Sequence, residues 1–330
     1  MAAKASLARS PLPGVTSLAT KPPVIHGEYL LFVKNVDTPD YTRPEAWVVR
    51  PDGTGLRKVV EGWEIGGPSP PGRNLETVVW SHDGGSIHVV KGCDSRLSDI
   101  VVGSWGEKPL ITMGEKAASF VWSPDDGNIA YYRFTGSDVI CMQNSTDDTH
   151  DLMAMKGDGS AQTVVVHNAV GYTEWWGHGF TILVRDGAAW SLVSIVDGAS
   201  TPLVSGVSAV RLSPDGSLVA FIDAGHVKVR ATSGGLGKLR DLGAGGHFAW
   251  SPDGKSIAVA GGFLKVFSTS TWTSSTPYAL PASKPTWSPN SLKIAFITHT
   301  GGVSVLSVKG GPVTPVPGVS GVNRDLQWQP

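Results

Sequence analysis

One short phrase is written again and again along this chain. It is clearest at Trp250-Ser251-Pro252-Asp253-Gly254, which joins an apolar stretch ending at Trp250 to a second one, Ser256-Ile-Ala-Val-Ala260. Proline presets φ, aspartate bonds its own backbone and glycine accepts φ > 0, so the phrase predicts a hairpin turn. It returns as Trp80-Ser-His-Asp-Gly84, Trp122-Ser-Pro-Asp-Asp-Gly127, Leu212-Ser-Pro-Asp-Gly216 and Trp287-Ser-Pro-Asn290. Degenerate copies stand at Trp175-Trp-Gly-His-Gly179 and Trp328-Gln-Pro330. The anchors at 80, 122, 175, 212, 250, 287 and 328 are 42, 53, 37, 38, 37 and 41 residues apart. A repeat of about 40 residues made of short strands predicts a β-propeller. The expected class is all-β, with seven blades of four antiparallel strands each.

Blade one is split between the chain's two ends. Glu28–Lys34, Ala46–Arg50 and Leu56–Val60 read as its later strands, and Asp325–Trp328 supplies the first. One C-terminal strand thus completes the N-terminal blade and closes the ring without an open edge. The other blades fall at about 75–114, 117–167, 170–206, 207–243, 246–281 and 283–318, so residues 26–330 read as a single seven-bladed propeller. Residues 1–24 are rich in Ala, Ser, Pro and Lys and hold no apolar core of a signal peptide. They read as a flexible leader, and export is favoured only if a signal has been removed.

Composition narrows the function classes. The formal net charge is −1 and 17% of residues are charged, so there is no basic stripe for nucleic acid. No apolar run approaches the ~20 residues of a membrane span. Nucleophile elbows, zinc-protease helices, dinucleotide fingerprints and phosphate loops are absent from the sequence, and no cofactor is expected. A monomer is expected.

The Trp-Ser-Pro-Asp-Gly turn followed by Lys-Ser-Ile-Ala-Val resembles the TolB-type, WD40-like (PD40) propeller repeat. The resemblance covers residues 26–330 and implies the fold. On function it implies little, because members of the group bind proteins, process peptides or cleave polysaccharides.

The first strand of a propeller blade lines the channel, with alternate residues facing it. Two residues before each anchor stand Val78, Phe120, Thr173, Val210, Phe248, Pro285 and Leu326, which read as blade core. Three before stand Thr77, Ser119, Tyr172, Ala209, His247, Lys284 and Asp325, a mostly polar row. Its plain reading is a solvated channel. Its sharper reading is a site at the channel mouth, with Tyr172, His247, Lys284 and Asp325 as acid/base candidates of a polysaccharide lyase or hydrolase. Glu174 and Arg211 read as an ion pair between adjacent blades.

Four long connections, Asn35–Glu45, Trp63–Asn74, Lys91–Asp99 and Thr135–His150, are expected on the face where first strands begin. They carry Tyr41, Arg43, Trp63, Glu64, Arg73 and Arg96. Aromatic and arginine side chains together suit a protein or glycan partner. The leading expectation is therefore a non-enzymatic recognition propeller that uses this face; a scaffold within a larger assembly is the third class. Asp147, Asp148 and Asp151 have hard-ligand character but lack the spacing and central glycine of a calcium loop, so a solvated acidic turn is expected. Cys93 and Cys141 fall in equivalent loops, where a disulfide would imply an oxidising compartment.

Overall fold

The computed structural model describes residues 29–37, 42–62, 75–91, 96–112, 117–134, 150–169, 172–176, 181–233 and 239–330. These residues form seven four-stranded antiparallel sheets, the blades of a β-propeller. Blade one orders its strands as β28 (Val322–Trp328), β1 (Leu30–Asp37), β2 (Thr42–Val49) and β3 (Arg57–Glu61). Blade two comprises β4 (Leu75–Trp80), β5 (Ser86–Lys91), β6 (Arg96–Val101) and β7 (Glu107–Thr112). Blade three comprises β8 (Ala117–Trp122), β9 (Asn128–Phe134), β10 (His150–Lys156) and β11 (Thr163–Ala169). Blade four comprises β12 (Tyr172–Trp176), β13 (Thr181–Asp186), β14 (Ala189–Ser194) and β15 (Ser200–Ser205). Blade five runs β16 (Ser208–Leu212), β17 (Leu218–Asp223), β18 (His226–Ala231) and β19 (Arg240–Ala244). Blade six runs β20 (His247–Trp250), β21 (Ser256–Ala260), β22 (Leu264–Ser268) and β23 (Ser274–Tyr278). Blade seven runs β24 (Ala282–Trp287), β25 (Lys293–Thr298), β26 (Val303–Ser307) and β27 (Thr314–Pro315). Blades three and four form one compact unit; blades one, two, five, six and seven form a second.

The repeated phrase forms the expected turn, but its serine does more than the sequence suggested. Ser251 is fully buried. Its Oγ accepts from Ser256 N at 2.9 Å and lies 2.6 Å from Asp253 Oδ1, to which it donates. Gly254 N donates to Ser251 O at 2.8 Å, and Gly254 sits at φ +68. Ser81, Ser123, Ser213 and Ser288 repeat the arrangement. Where the glycine is missing, Asp126 and Ser291 adopt the left-handed φ themselves.

The hydrophobic core lies between blades within each unit. Leu31, Val33, Ala46 and Val48 of blade one meet Val78, Trp80, Ile87 and Val89 of blade two. Ala258 and Ala260 of blade six meet Trp287, Ile294 and Phe296 of blade seven. In the other unit Ala130, Tyr132 and Leu152 meet Ile182, Val184 and Val193. Trp80, Trp122, Trp287 and Trp328 are buried as expected of anchors, whereas Trp250 is only partly so.

The chain ends join as the sequence predicts. Strand β28 pairs with β1, Leu30 opposite Trp328. Gln329, fully buried, takes the place of the repeat's serine. Its N donates to Tyr29 O at 2.9 Å, and its Oε1 accepts from Tyr29 N at 3.2 Å. Its Nε2 donates to Gly84 O on the neighbouring turn of blade two at 2.7 Å. A longer side chain thus does the serine's work across a break in the chain.

Three expectations are corrected. Asn35–Glu45 is not one long loop, because β1 runs to Asp37 and β2 starts at Thr42, with those two residues paired. Lys91–Asp99 likewise is not one long loop, since Lys91 pairs with Arg96 and Asp99 pairs with His88. In blade four the ladder sets Trp176, not Trp175, opposite Ile182, the position that Trp250 holds opposite Ile257. A single-residue slip of this kind moves every side chain on the strand. The leader 1–24 and both cysteines, Cys93 and Cys141, lie outside the described residues. Among the described residues no helix is long and apolar enough to cross a membrane.

Candidate functional site

The first strand of each blade is an edge strand, so half of its backbone polar groups need partners from elsewhere. Side chains one residue before the anchors supply several of them, a role that residue order does not reveal. Thr286 Oγ1 accepts from Trp328 N at 3.2 Å. Gln327 Oε1 accepts from Trp80 N at 3.3 Å, and its Nε2 donates to Val78 O at 2.9 Å. The Trp287 indole donates to Ala249 O at 3.0 Å. This lacing carries β20 onto β24, β24 onto β28 and β28 onto β4.

Three of the first strands share an irregularity. The ladder slips between Ser283 and Thr286 in blade seven, between Ser208 and Arg211 in blade five, and between Gln327 and Arg324 in blade one. Each slip is a bulge in which two residues face one on the partner strand. Its first residue is left-handed: Lys284 at φ +47, Ala209 at +52 and Asp325 at +57. Such a backbone costs a side-chain-bearing residue about 1–2 kcal/mol, and non-glycine residues held there cluster at functional sites.

The row predicted from the anchors therefore survives in part. His247, Lys284 and Asp325 each stand three residues before the anchor on the successive strands β20, β24 and β28, and all three are half-buried; β20 carries no bulge, so in the ladder His247 matches Ser283 rather than Lys284. Burial, and then the Lys284 ammonium, hold the His247 imidazole below its ordinary range. Among the described residues neither His247 nor Lys284 has a hydrogen-bond partner or an ion pair. Tyr172 opens β12 in the other unit. With Trp176 as the anchor it stands one position off the row, which Thr173 occupies. The side chains of Tyr172 and Glu174 lie outside the described residues, so the expected Glu174–Arg211 pair does too.

His247 gives the molecule a definite pH response. Its ordinary pKa near 6.5 returns on unfolding. Below about pH 6.5 the unfolded chain then binds more protons than the folded one, so stability falls with pH in that window. Replacing His247 with Gln should shrink the drop in urea midpoint between about pH 7 and about pH 5. An unchanged drop would show that the imidazole titrates alike in both states.

The loop-face residues fare differently. Arg43 lies within β2 and is not a free docking side chain. Its Nη2 sits 3.0 Å from Glu45 Oε1 and 3.3 Å from Glu61 Oε2. Glu45, 4% exposed, also accepts from the Trp47 indole at 3.0 Å and pairs with Lys58. Arg96 opens β6 opposite Lys91, and its side chain lies outside the described residues, as do Tyr41, Trp63, Glu64 and Arg73. Of the acidic stretch, Asp147 and Asp148 are also outside. Asp151 is no turn residue: it is buried within β10. Burial raises its pKa, but hydrogen bonds from Arg133, Asn168 N and His167 outweigh it and leave the carboxyl below its ordinary range.

No protein-family model and no curated protein matches the chain. Solved structures do. TolB from Acinetobacter baumannii is 14% identical, with a TM-score of 0.54, over 92% of this chain and 67% of its own. A functionally unknown protein from Desulfotomaculum acetoxidans is 12% identical, with a TM-score of 0.57, over 91% and 98%. A candidate 6-phosphogluconolactonase from Bacteroides uniformis is 13% identical, with a TM-score of 0.53, over 91% and 98%. Likeness at such low identity establishes the fold, and the chain is accordingly a β-propeller with TolB among its structural neighbours.

Proposed function

We propose that the protein is a recognition propeller. Its ligand-facing surface is the end of blades six, seven and one at which the first strands begin, and its partner is a protein or a glycan. The observation that supports this most is the half-buried His247 and Lys284, on the neighbouring strands β20 and β24, near enough for the Lys284 charge to act on the imidazole, and without partners among the described residues. Polar groups held out of water without partners cost stability, and a ligand that completes them recovers that cost.

The double variant His247→Ala, Lys284→Ala should melt no lower than the parent and lose capture of the partner that the parent retains from extracts of its own cells. Full retention of that partner would overturn the reading. A second reading is hydrolytic, and the neutral imidazole favours it, since only an unprotonated His247 could serve as a general base at neutral pH. It predicts instead that the same double variant loses a turnover while partner capture is unaffected.

A further inference from the structure

We propose that Lys284 and His247 form a site for the carboxylate of a ligand whose remaining body is apolar. This deepens the recognition reading and rests on it. Three observations meet at one end of blade six and blade seven. The first is the ammonium of Lys284, half-buried and without an ion pair among the described residues. Its backbone is held left-handed by a bulge that the strand ladder imposes.

The second is the charge inventory. His247 is an uncharged N–H donor at neutral pH, and Asp325 lies within the next strand along, β28. Among the described side chains of β20, β24 and β28, Lys284 is the only Lys or Arg and Asp325 the only carboxylate, a balance that suits a monoanion better than a doubly charged phosphate. A carboxylate has two acceptor oxygens, one for the ammonium and one for the imidazole N–H.

The third is apolar surface on the same end. Phe263, in the turn between β21 and β22, and Leu280, just past β23, are each 51% exposed. The backbone ties their segments to the site. Gly261 N donates to Phe263 O, Ala282 N donates to Gly261 O, and Gly261 directly follows Ala260, which pairs with His247. A ligand carboxylate on Lys284 therefore has an apolar surface within the same blade end for its body. Either a chain terminus ending in a large apolar residue or a small aromatic acid presents that chemistry.

The test follows the imidazole signal of His247 by NMR in the full-length protein, assigned through His247→Gln. The probes are 3-phenylpropionate, its amide, inorganic phosphate, and a short peptide ending in Phe with a free or amidated terminus. The free acid should shift the signal saturably and raise the His247 pKa, because a bound anion favours the imidazolium. The amide should not. Lys284→Met should weaken the acid by about tenfold or more, and Lys284→Arg should retain it. Tighter binding of the free peptide than of 3-phenylpropionate assigns the carboxylate to a chain terminus, and the reverse assigns it to a small acid. Equal behaviour of acid and amide in the parent, or phosphate binding better than either acid, overturns the proposal without recourse to any variant. If those probes fail while His247→Ala, Lys284→Ala still loses the partner, only the carboxylate chemistry falls and the recognition reading stands.

Discussion

Removing residues 325–330 should abolish the folded protein rather than loosen one edge of it. The deletion takes Leu326 and Trp328 out of the core shared by blades seven and one, where both are buried. Loss of the Trp328 side chain alone should cost about 3–5 kcal/mol. It also removes Gln327 and Gln329, which bond the backbone of Trp80, Val78, Tyr29 and Gly84. Each buried backbone group left bare adds about 1–3 kcal/mol. Against a typical total of about 5–15 kcal/mol, little remains. The exposed edge of β1, an apolar run from Leu30 to Val33, then invites pairing between chains. Urea titration followed by tryptophan fluorescence, with size-exclusion chromatography for aggregates, reads both effects. A truncated chain that stays monomeric with the parent's midpoint would disprove the closure. The milder Gln329→Ala should lower the midpoint without aggregation, because the strand itself remains.

The anchors should not be equivalent when replaced. Trp287→Ala should cost about 3–5 kcal/mol, since the ring is buried against blade six and its indole donates to Ala249 O. Trp250→Ala should cost markedly less, about 1–2 kcal/mol, because Trp250 is partly exposed and its indole reaches Arg211 O only at 3.4 Å. The sequence treats the two residues alike; what differs is the neighbour each meets. Denaturant midpoints for the pair give the ratio directly, and equal losses would mean that Trp250 is covered in solution.

Much of this contrast runs through the whole chain. The turn phrase was legible because it is local. Gly254 N bonds Ser251 O, and Asp253 Oδ1 accepts from Ser251 and from Lys255 N, so most of the turn is held within a few residues; only Asp253 N reaches further, to Ser291 Oγ. The split first blade was legible for a similar reason, since Asp325–Trp328 matches the missing strand in pattern. Ser251 was present in the phrase, yet its role as a buried double-bonding hub was not, because that depends on the depth at which the turn sits.

The candidate site was half legible. Counting back from the anchors put His247, Lys284 and Asp325 in one row, and the structure keeps them on successive strands. The count misplaced Tyr172, because two tryptophans stand together at Trp175 and Trp176, and only pairing with Ile182 decides which is the anchor. Arg43 was read as a loop residue because the sequence does not show how far β1 and β2 extend.

Seven repeats, their hairpin turns, their strand count and the closing of the first blade by the last strand follow from residue order alone, because each rests on local backbone chemistry or on simple periodicity. Three features came only with tertiary pairing: the bulges that turn Lys284 and Asp325 left-handed, the lacing by Thr286 and Gln327, and the engagement of Arg43 with Glu45 and Glu61. The reason is physical. Each of these is set by which backbone groups or charges a neighbouring strand leaves unsatisfied, and a residue's own sequence neighbours carry no record of that.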